Sequence, residues 1–238
     1  MADYWQRLLS SLYPSSPHCP SCGRVLFDSN HIICPKCAPF VFAEAPAYCK
    51  VCGCAMRGGE VCKICYENTY LYELGVSMLI YNRYTRPIIH SIKYNNNTDL
   101  AYRLGALLSI DILRKTDILH KVDVIVPIPL APLRYEQRGY NQAQYIAEGL
   151  ASATSKPVEA CALQKIRETA DQIGLSRLER EDNLRDSFAT VSSVLKHKNV
   201  LLIDDVLTTG ATVQACTKAL REGGCNKVYF AVIASSLH

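Results

Sequence analysis

The chain has 238 residues, 49% of them hydrophobic, and a net charge of +4. That length accommodates one α/β domain with a small appendage, and so mild a charge gives no electrostatic case for a dedicated nucleic-acid protein. No apolar run approaches the roughly 20 residues that span a bilayer. At the N-terminus, Trp5, Leu8, Leu9 and Leu12 fall at helical spacing, which predicts a short amphipathic helix packed on the domain behind it. Pro14 and Pro17 end it. The segment lacks the basic and continuous apolar regions of a secretory signal, so a cytoplasmic protein is expected.

Nine of the 12 cysteines lie between Cys19 and Cys65, eight of them in Cys-x-x-Cys pairs. With no secretory signal, metal thiolates are a better reading than a disulfide framework. The pairs are Cys19/Cys22, Cys34/Cys37, Cys49/Cys52 and Cys62/Cys65, and the first and third are each followed by glycine, Gly23 and Gly53. This internal repeat predicts two consecutive ribbons, each a closed tetrahedral zinc site of four cysteines with a structural role. Cross-braced pairing, first knuckle with third and second with fourth, is the main alternative; iron–sulfur ligation is a rarer use of this spacing. Metal binding coupled to folding, on the order of 10–16 kcal/mol per site in small peptides, explains how so few apolar residues hold the segment together. Cys54 is left over and reads as a bystander. Lys36, Lys50 and Lys63 sit beside cysteines, where they can offset thiolate charge.

Residues 67–74 read as a linker, so the ribbon module occupies 1–66 and the remaining domain 67–238. A strand is expected over 75–81, a helix over 87–93 with Ile88, Ile89 and Ile92 on one face, and an amphipathic helix over 100–113. Val122–Val126 reads as a buried strand stopped by Pro127 and Pro129, followed by a loop carrying Arg134, Arg138, Gly139, Tyr140, Asn141 and Gln142 before a helix over 143–150. Residues 163–188 are polar and poorly periodic at first, as in a mobile loop; acids and bases balance across 134–185, so this is not a basic nucleic-acid face.

Val200-Leu-Leu-Ile203 reads as a buried strand ended by Asp204 and Asp205. The loop Thr208-Thr209-Gly210-Ala211-Thr212 then opens a helix over 212–223, and a last strand follows over 227–234. Strand, loop and helix start is a geometry that seats a phosphate on backbone N–H groups. Two carboxylates before it suit a ligand that is also a polyol, since charge-assisted bonds to vicinal hydroxyls contribute roughly 1.5–3 kcal/mol each. Alternation of strands and helices predicts an α/β fold with a doubly wound, mostly parallel sheet.

The run from Val200 to Thr212 resembles the phosphoribosyl pyrophosphate signature of type I phosphoribosyltransferases. Together with the Cys-x-x-Cys ribbons, Lys93-Tyr94, Pro127-Ile-Pro129, Arg138-Gly-Tyr-Asn-Gln142, Arg167-x-Thr169-x-x-Gln172 and Arg180-x-x-Asn183, it resembles the ComF (competence protein F, GntX-like) family over nearly the whole chain. The resemblance implies a phosphoribosyl pyrophosphate-binding protein, either a phosphoribosyltransferase of unknown acceptor or a competence factor that binds the donor as a regulatory ligand. Magnesium would accompany the donor. Asp204 and Asp205 would hold the ribose, Thr208–Thr212 the 5′-phosphate, and Arg134, Arg138 and Asn141 the pyrophosphate, with Arg167 and Gln172 in a lid. Single-stranded DNA and competence-machinery proteins are the implied further partners. Any DNA affinity is expected from the ribbons; core packing is the expected role of Phe42 and Tyr48, with stacking on a base as the alternative.

Overall fold

The computed structural model describes residues 18–26, 32–167, 184, 186–191 and 193–238. The helix expected over 1–12 and most of the expected lid, including Thr169, Gln172, Arg180 and Asn183, lie outside them. In chain order, the cysteine-rich part contains α1 (Ala38–Val41), β1 (Ala47–Tyr48), β2 (Ala55–Met56) and α2 (Lys63–Tyr66). There follow β3 (Gly75–Ile80), α3 (Arg86–Tyr94), α4 (Thr98–Lys115), α5 (Ile118–Lys121), β4 (Val124–Pro127), α6 (Pro132–Arg138) and α7 (Gln142–Thr154). The chain ends with β5 (Leu163–Lys165), β6 (Phe188–Thr190), β7 (Asn199–Leu207), α8 (Ala211–Glu222) and β8 (Lys227–Ser235). Among the described residues no helix is long and apolar enough to cross a membrane.

Four strands form a parallel sheet in the order β3-β8-β7-β4. Their residues are apolar on both sides because both faces are covered, as in α/β proteins generally. The period of two divides their central residues between the two faces. Ile125, Leu201, Ile203, Ala231 and Ile233 join a core with α3, α4 and α7, whereas Val124, Val126, Val200, Leu202, Phe230 and Val232 join a second core with α8. On the first face, α4 and α7 approach backbone to backbone. A β-carbon at Gly105 would fall 2.0 Å from the Ile146 carbonyl oxygen, and one at Gly149 only 1.8 Å from that of Tyr102.

Three local expectations are corrected. The acids do not end their strand: β7 continues through both, with Asp204 opposite Val232 and Val206 opposite Ala234 on β8. The stretch after β4 is not all loop, because Pro132 sits in the first turn of α6, where its missing N–H costs nothing, and Gly139 at φ 78° stops the helix. The polar stretch beginning at Leu163 contributes β5, which pairs antiparallel with β6. The Thr190 hydroxyl ties that pair to α8 by donating to the Ala219 carbonyl at 2.8 Å.

Candidate functional site

The loops at the C-terminal ends of β3, β4 and β7 enclose a cavity of about 1080 Å³. Asp204, Asp205, Thr208 and Thr212 line one side, Arg134 and Arg138 another, and Lys93 with Tyr94 a third. The two arginines are four residues apart on α6, so one helical face presents both.

The alternation along β7 separates the paired acids. Asp205 follows Ile203 toward α3 and α7, where it is 3% exposed. There its Oδ1 lies 3.0 Å from Lys93 Nζ, and its Oδ2 accepts a 2.8 Å hydrogen bond from Gln142 Nε2. Gln142 in turn accepts a hydrogen bond from Arg138, whose guanidinium stands 5.3 Å from the Tyr94 ring centroid. Asp205 is therefore already compensated, through a chain that reaches the arginine helix. Burial alone would lower the Lys93 pKa, but Asp205 and Asp204 outweigh it and the net direction is up. Asp204, which falls on the α8 side of the strand, accepts a 2.8 Å hydrogen bond from the Asp205 backbone N–H. Burial, reinforced by the neighbouring Asp205 charge and opposed by Lys93, pushes its carboxyl up to about 7. One acid is thus engaged by an ion pair and a hydrogen bond, whereas burial disfavours the charged form of the other.

The remaining expected residues divide. Gly210, at φ 81°, is the N-cap of α8 and Ala211 its first residue, so the Thr-rich loop delivers its N–H groups at a helix N-terminus. Thr209 and Gly210 line a separate narrow crevice, which Thr208 also borders, and do not line the cavity. Asn141 has its side chain engaged in the scaffold, donating to the Ile128 carbonyl at 3.0 Å and accepting from Ala143 N–H at 3.1 Å. It caps α7 and fixes the loop after β4. Arg167 is exposed and stands outside the residues that line the cavity. The Lys93–Asp205–Gln142–Arg138 chain joins residues from four elements, and no local sequence spacing encodes such a contact; Gln142 just after Asn141 was the nearest signal.

The cysteines gather sequentially. The sulfurs of Cys19, Cys22, Cys34 and Cys37 lie within 4.8 Å of one another, and those of Cys49, Cys52, Cys54 and Cys62 form a second group. Cys65 stands against Cys52 and Cys62, and the cross-braced arrangement is not formed. Cys54, left over by the repeat, is inside the second group, because the chain reverses at Gly53 and the Cys54 carbonyl accepts from Cys49 N–H at 3.0 Å. Four sulfurs about 2.3 Å from a tetrahedral zinc stand about 3.8 Å apart. Cys22 and Cys34 are 3.7 Å apart, and Cys52 and Cys62 3.8 Å. Burial pushes Cys34 and Cys49 up, yet the hydrogen bonds they accept outweigh it and hold both at about 7. Burial pushes Cys37 up to about 12. A first thiolate forms readily in each cluster, and further ionisation beside it calls for a divalent cation. The donor set fits zinc.

The two aromatics expected to pack in the core, with base stacking as the alternative, are placed differently. Phe42 is exposed, whereas Tyr48 has Lys115 3.9 Å above its ring and accepts from Ala45 N–H at 3.2 Å.

The phosphoribosyl transferase domain family matches residues 102–238. Competence protein F of Haemophilus influenzae is 27% identical over 218 residues, covering 88% of this chain and 93% of that one. DNA utilization protein YhgH of Escherichia coli is 27% identical over 213 residues, covering 88% and 86%. Competence protein ComFC of Bacillus subtilis is 27% identical over 224 residues, covering 93% and 85%. With the domain match spanning more than half of the sequence and these relatives spanning most of the rest, the chain belongs to the phosphoribosyl transferase domain family, in its ComF group.

Proposed function

We propose that the cavity binds phosphoribosyl pyrophosphate and that the chain transfers its phosphoribosyl group to an acceptor. The observation that carries this reading is the course of β7 through two acids into a Thr/Gly loop that opens α8, with an arginine-bearing helix across the cavity. The loop N–H groups, with the Thr208 and Thr212 hydroxyls, bind the 5′-phosphate. Asp204 accepts from the ribose hydroxyls. Asp205, held by Lys93 and Gln142, fixes that end of the cavity and orients Arg138. Arg138 and Arg134 take the pyrophosphate, for which guanidinium geometry is suited.

Carboxylates next to a phosphate cradle fit a donor that arrives with magnesium. Asp204, beside the loop, would help hold the ion-bound donor, and the ion would supply charge neutralisation for the departing pyrophosphate. In the transfer, the bond from ribose C1 to the pyrophosphate oxygen breaks and a bond from the acceptor to C1 forms, with positive charge developing on the ribose. Positioning and fixed charges are this chain's contribution. The names of the relatives tie them to competence and DNA utilization; for this chain we carry over a role in handling incoming DNA as part of the same proposal.

Titration calorimetry with phosphoribosyl pyrophosphate and magnesium tests the reading. Two charge-assisted hydrogen bonds are at stake in Asp204→Asn/Asp205→Asn, so affinity should fall by on the order of 100-fold or more. Unchanged affinity would overturn the assignment.

A further inference from the structure

The second cysteine cluster contains five buried thiols, and a tetrahedral zinc takes four. The repeat supplies Cys49, Cys52, Cys62 and Cys65, and Cys65 N–H donates to Cys62 Sγ at 3.4 Å as the knuckle requires. Cys54 is nevertheless 1% exposed, and its sulfur lies within 4.8 Å of those of Cys49, Cys52 and Cys62. The first cluster has no counterpart to it among the described residues.

Backbone anchoring distinguishes the two competitors for the fourth position. Cys54 directly precedes β2, and that stretch is tied down on both sides: Ala55 N–H donates to Ser235 Oγ at 3.2 Å, and the Ala55 carbonyl accepts from His238 N–H at 2.9 Å. Cys65 sits on the single turn of α2, which also carries the exposed Tyr66. The rigidly held thiol is the one outside the repeat.

We propose that Cys54 is a zinc-ligating thiol of the second cluster, able to occupy the fourth position in place of Cys65. This rests on the reading that the cluster holds zinc. Five thiols then stand around a site that takes four, an arrangement the first cluster lacks among the described residues.

The test uses the full chain, with zinc content and the thiolate-to-metal absorption of the cobalt-substituted protein as readouts. Wild type should hold two ions, and Cys65→Ser should still hold two with a four-thiolate spectrum. Cys54→Ser/Cys65→Ser should lose one ion, as should Cys37→Ser in the first cluster. A Cys65→Ser protein that loses an ion or shows a three-thiolate spectrum, beside a wild type with two, overturns the proposal. A wild type without two ions overturns the underlying zinc reading instead. Cys54→Ser leaves the repeat intact, so it offers a measurement that does not depend on Cys65→Ser folding. Its second-site zinc should pass to a chelator about tenfold faster than in wild type, and equal rates would also overturn the proposal.

Discussion

The two cysteine clusters share a spacing and a turn chemistry but stand on opposite faces of the sheet. Cys19, Cys34 and Cys37 join the core formed by α3, α4 and α7. Cys49, Cys52, Cys54, Cys62 and Cys65 join the core under α8. There the second cluster and Leu207–Gly210, the start of the loop that opens α8, line the same crevice. Leu71 N–H, just beyond this cluster, also donates to Gln214 Oε1 on α8 at 3.1 Å. A repeated unit thus acquires two different surroundings: one cluster packs into the helical layer, and the other packs behind the loop that borders the candidate site.

The largest effect that separates them is loss of metal. Cys49→Ser/Cys52→Ser should lower affinity for phosphoribosyl pyrophosphate on the order of 100-fold, because the loop loses the support packed behind it. Cys19→Ser/Cys22→Ser should lower the melting temperature while changing that affinity by less than about threefold in the protein that remains folded, since these residues are remote from the loop. Calorimetry beside thermal melts measures both. Equal losses of affinity in the two variants would erase the distinction between the two surroundings.

The glycines that follow the first knuckle of each repeat sharpen the same comparison by an intermediate amount. Both need positive φ, +74° at Gly23 and +67° at Gly53. A β-carbon at Gly23 meets nothing within 4 Å, whereas one at Gly53 falls 2.3 Å from the Gly75 carbonyl oxygen at the start of β3. Gly23→Ala should therefore cost only the backbone strain, about 1 kcal/mol. Gly53→Ala adds a clash with main chain that cannot move aside, for a total of about 3 kcal/mol. Denaturant midpoints of the two variants give the difference. Similar midpoints would mean that the second ribbon is not pinned to the sheet as described.

How much of this was legible in advance follows from how local each signal is. Apolar runs and helical periodicity placed β3, β4, α4, α8 and β8 to within a few residues and located the first half of β7, because burial on both faces writes itself into consecutive residues. The cysteine repeat likewise indicated two sequential sites. What the sequence concealed depends on partners distant along the chain. Asp204 and Asp205 are adjacent and chemically identical, yet the pleat sends them to different faces, and only the fold reveals that Lys93 and Gln142 await one of them. Cys54 looked superfluous because the repeat could be completed without it. The α6 helix was obscured by its short length and by Pro132, which reads as a breaker until it is seen in a first turn. The β5–β6 pair joins residues more than twenty positions apart, with no hairpin turn to announce it.

The smallest effect is a proton, and it belongs to the second-cluster face alone. Asp204 has a folded pKa of about 7 against an ordinary 3.8, because burial and Asp205 disfavour its charge. Between those values the folded chain retains a proton that the unfolded chain has released. The contribution of Asp204 to stability is thus fully present below pH 4 and is lost as pH rises toward 7. Donor binding has the opposite sign. Accepting a bond from a ribose hydroxyl favours the carboxylate, so binding below pH 7 must first expel the proton, and affinity should be about tenfold lower at pH 6 than at pH 8. The phosphates of the donor titrate in the same range, so the variants carry the comparison. Asp204→Asn should abolish the protein's share of the pH dependence. Asp205→Asn should move it to lower pH, since removing the neighbouring charge eases ionisation of Asp204. Calorimetry in two buffers of different ionisation enthalpy counts the proton released directly. A wild-type profile that superimposes on that of Asp204→Asn would show that the residue enters binding already ionised, and that the two faces do not differ in this respect.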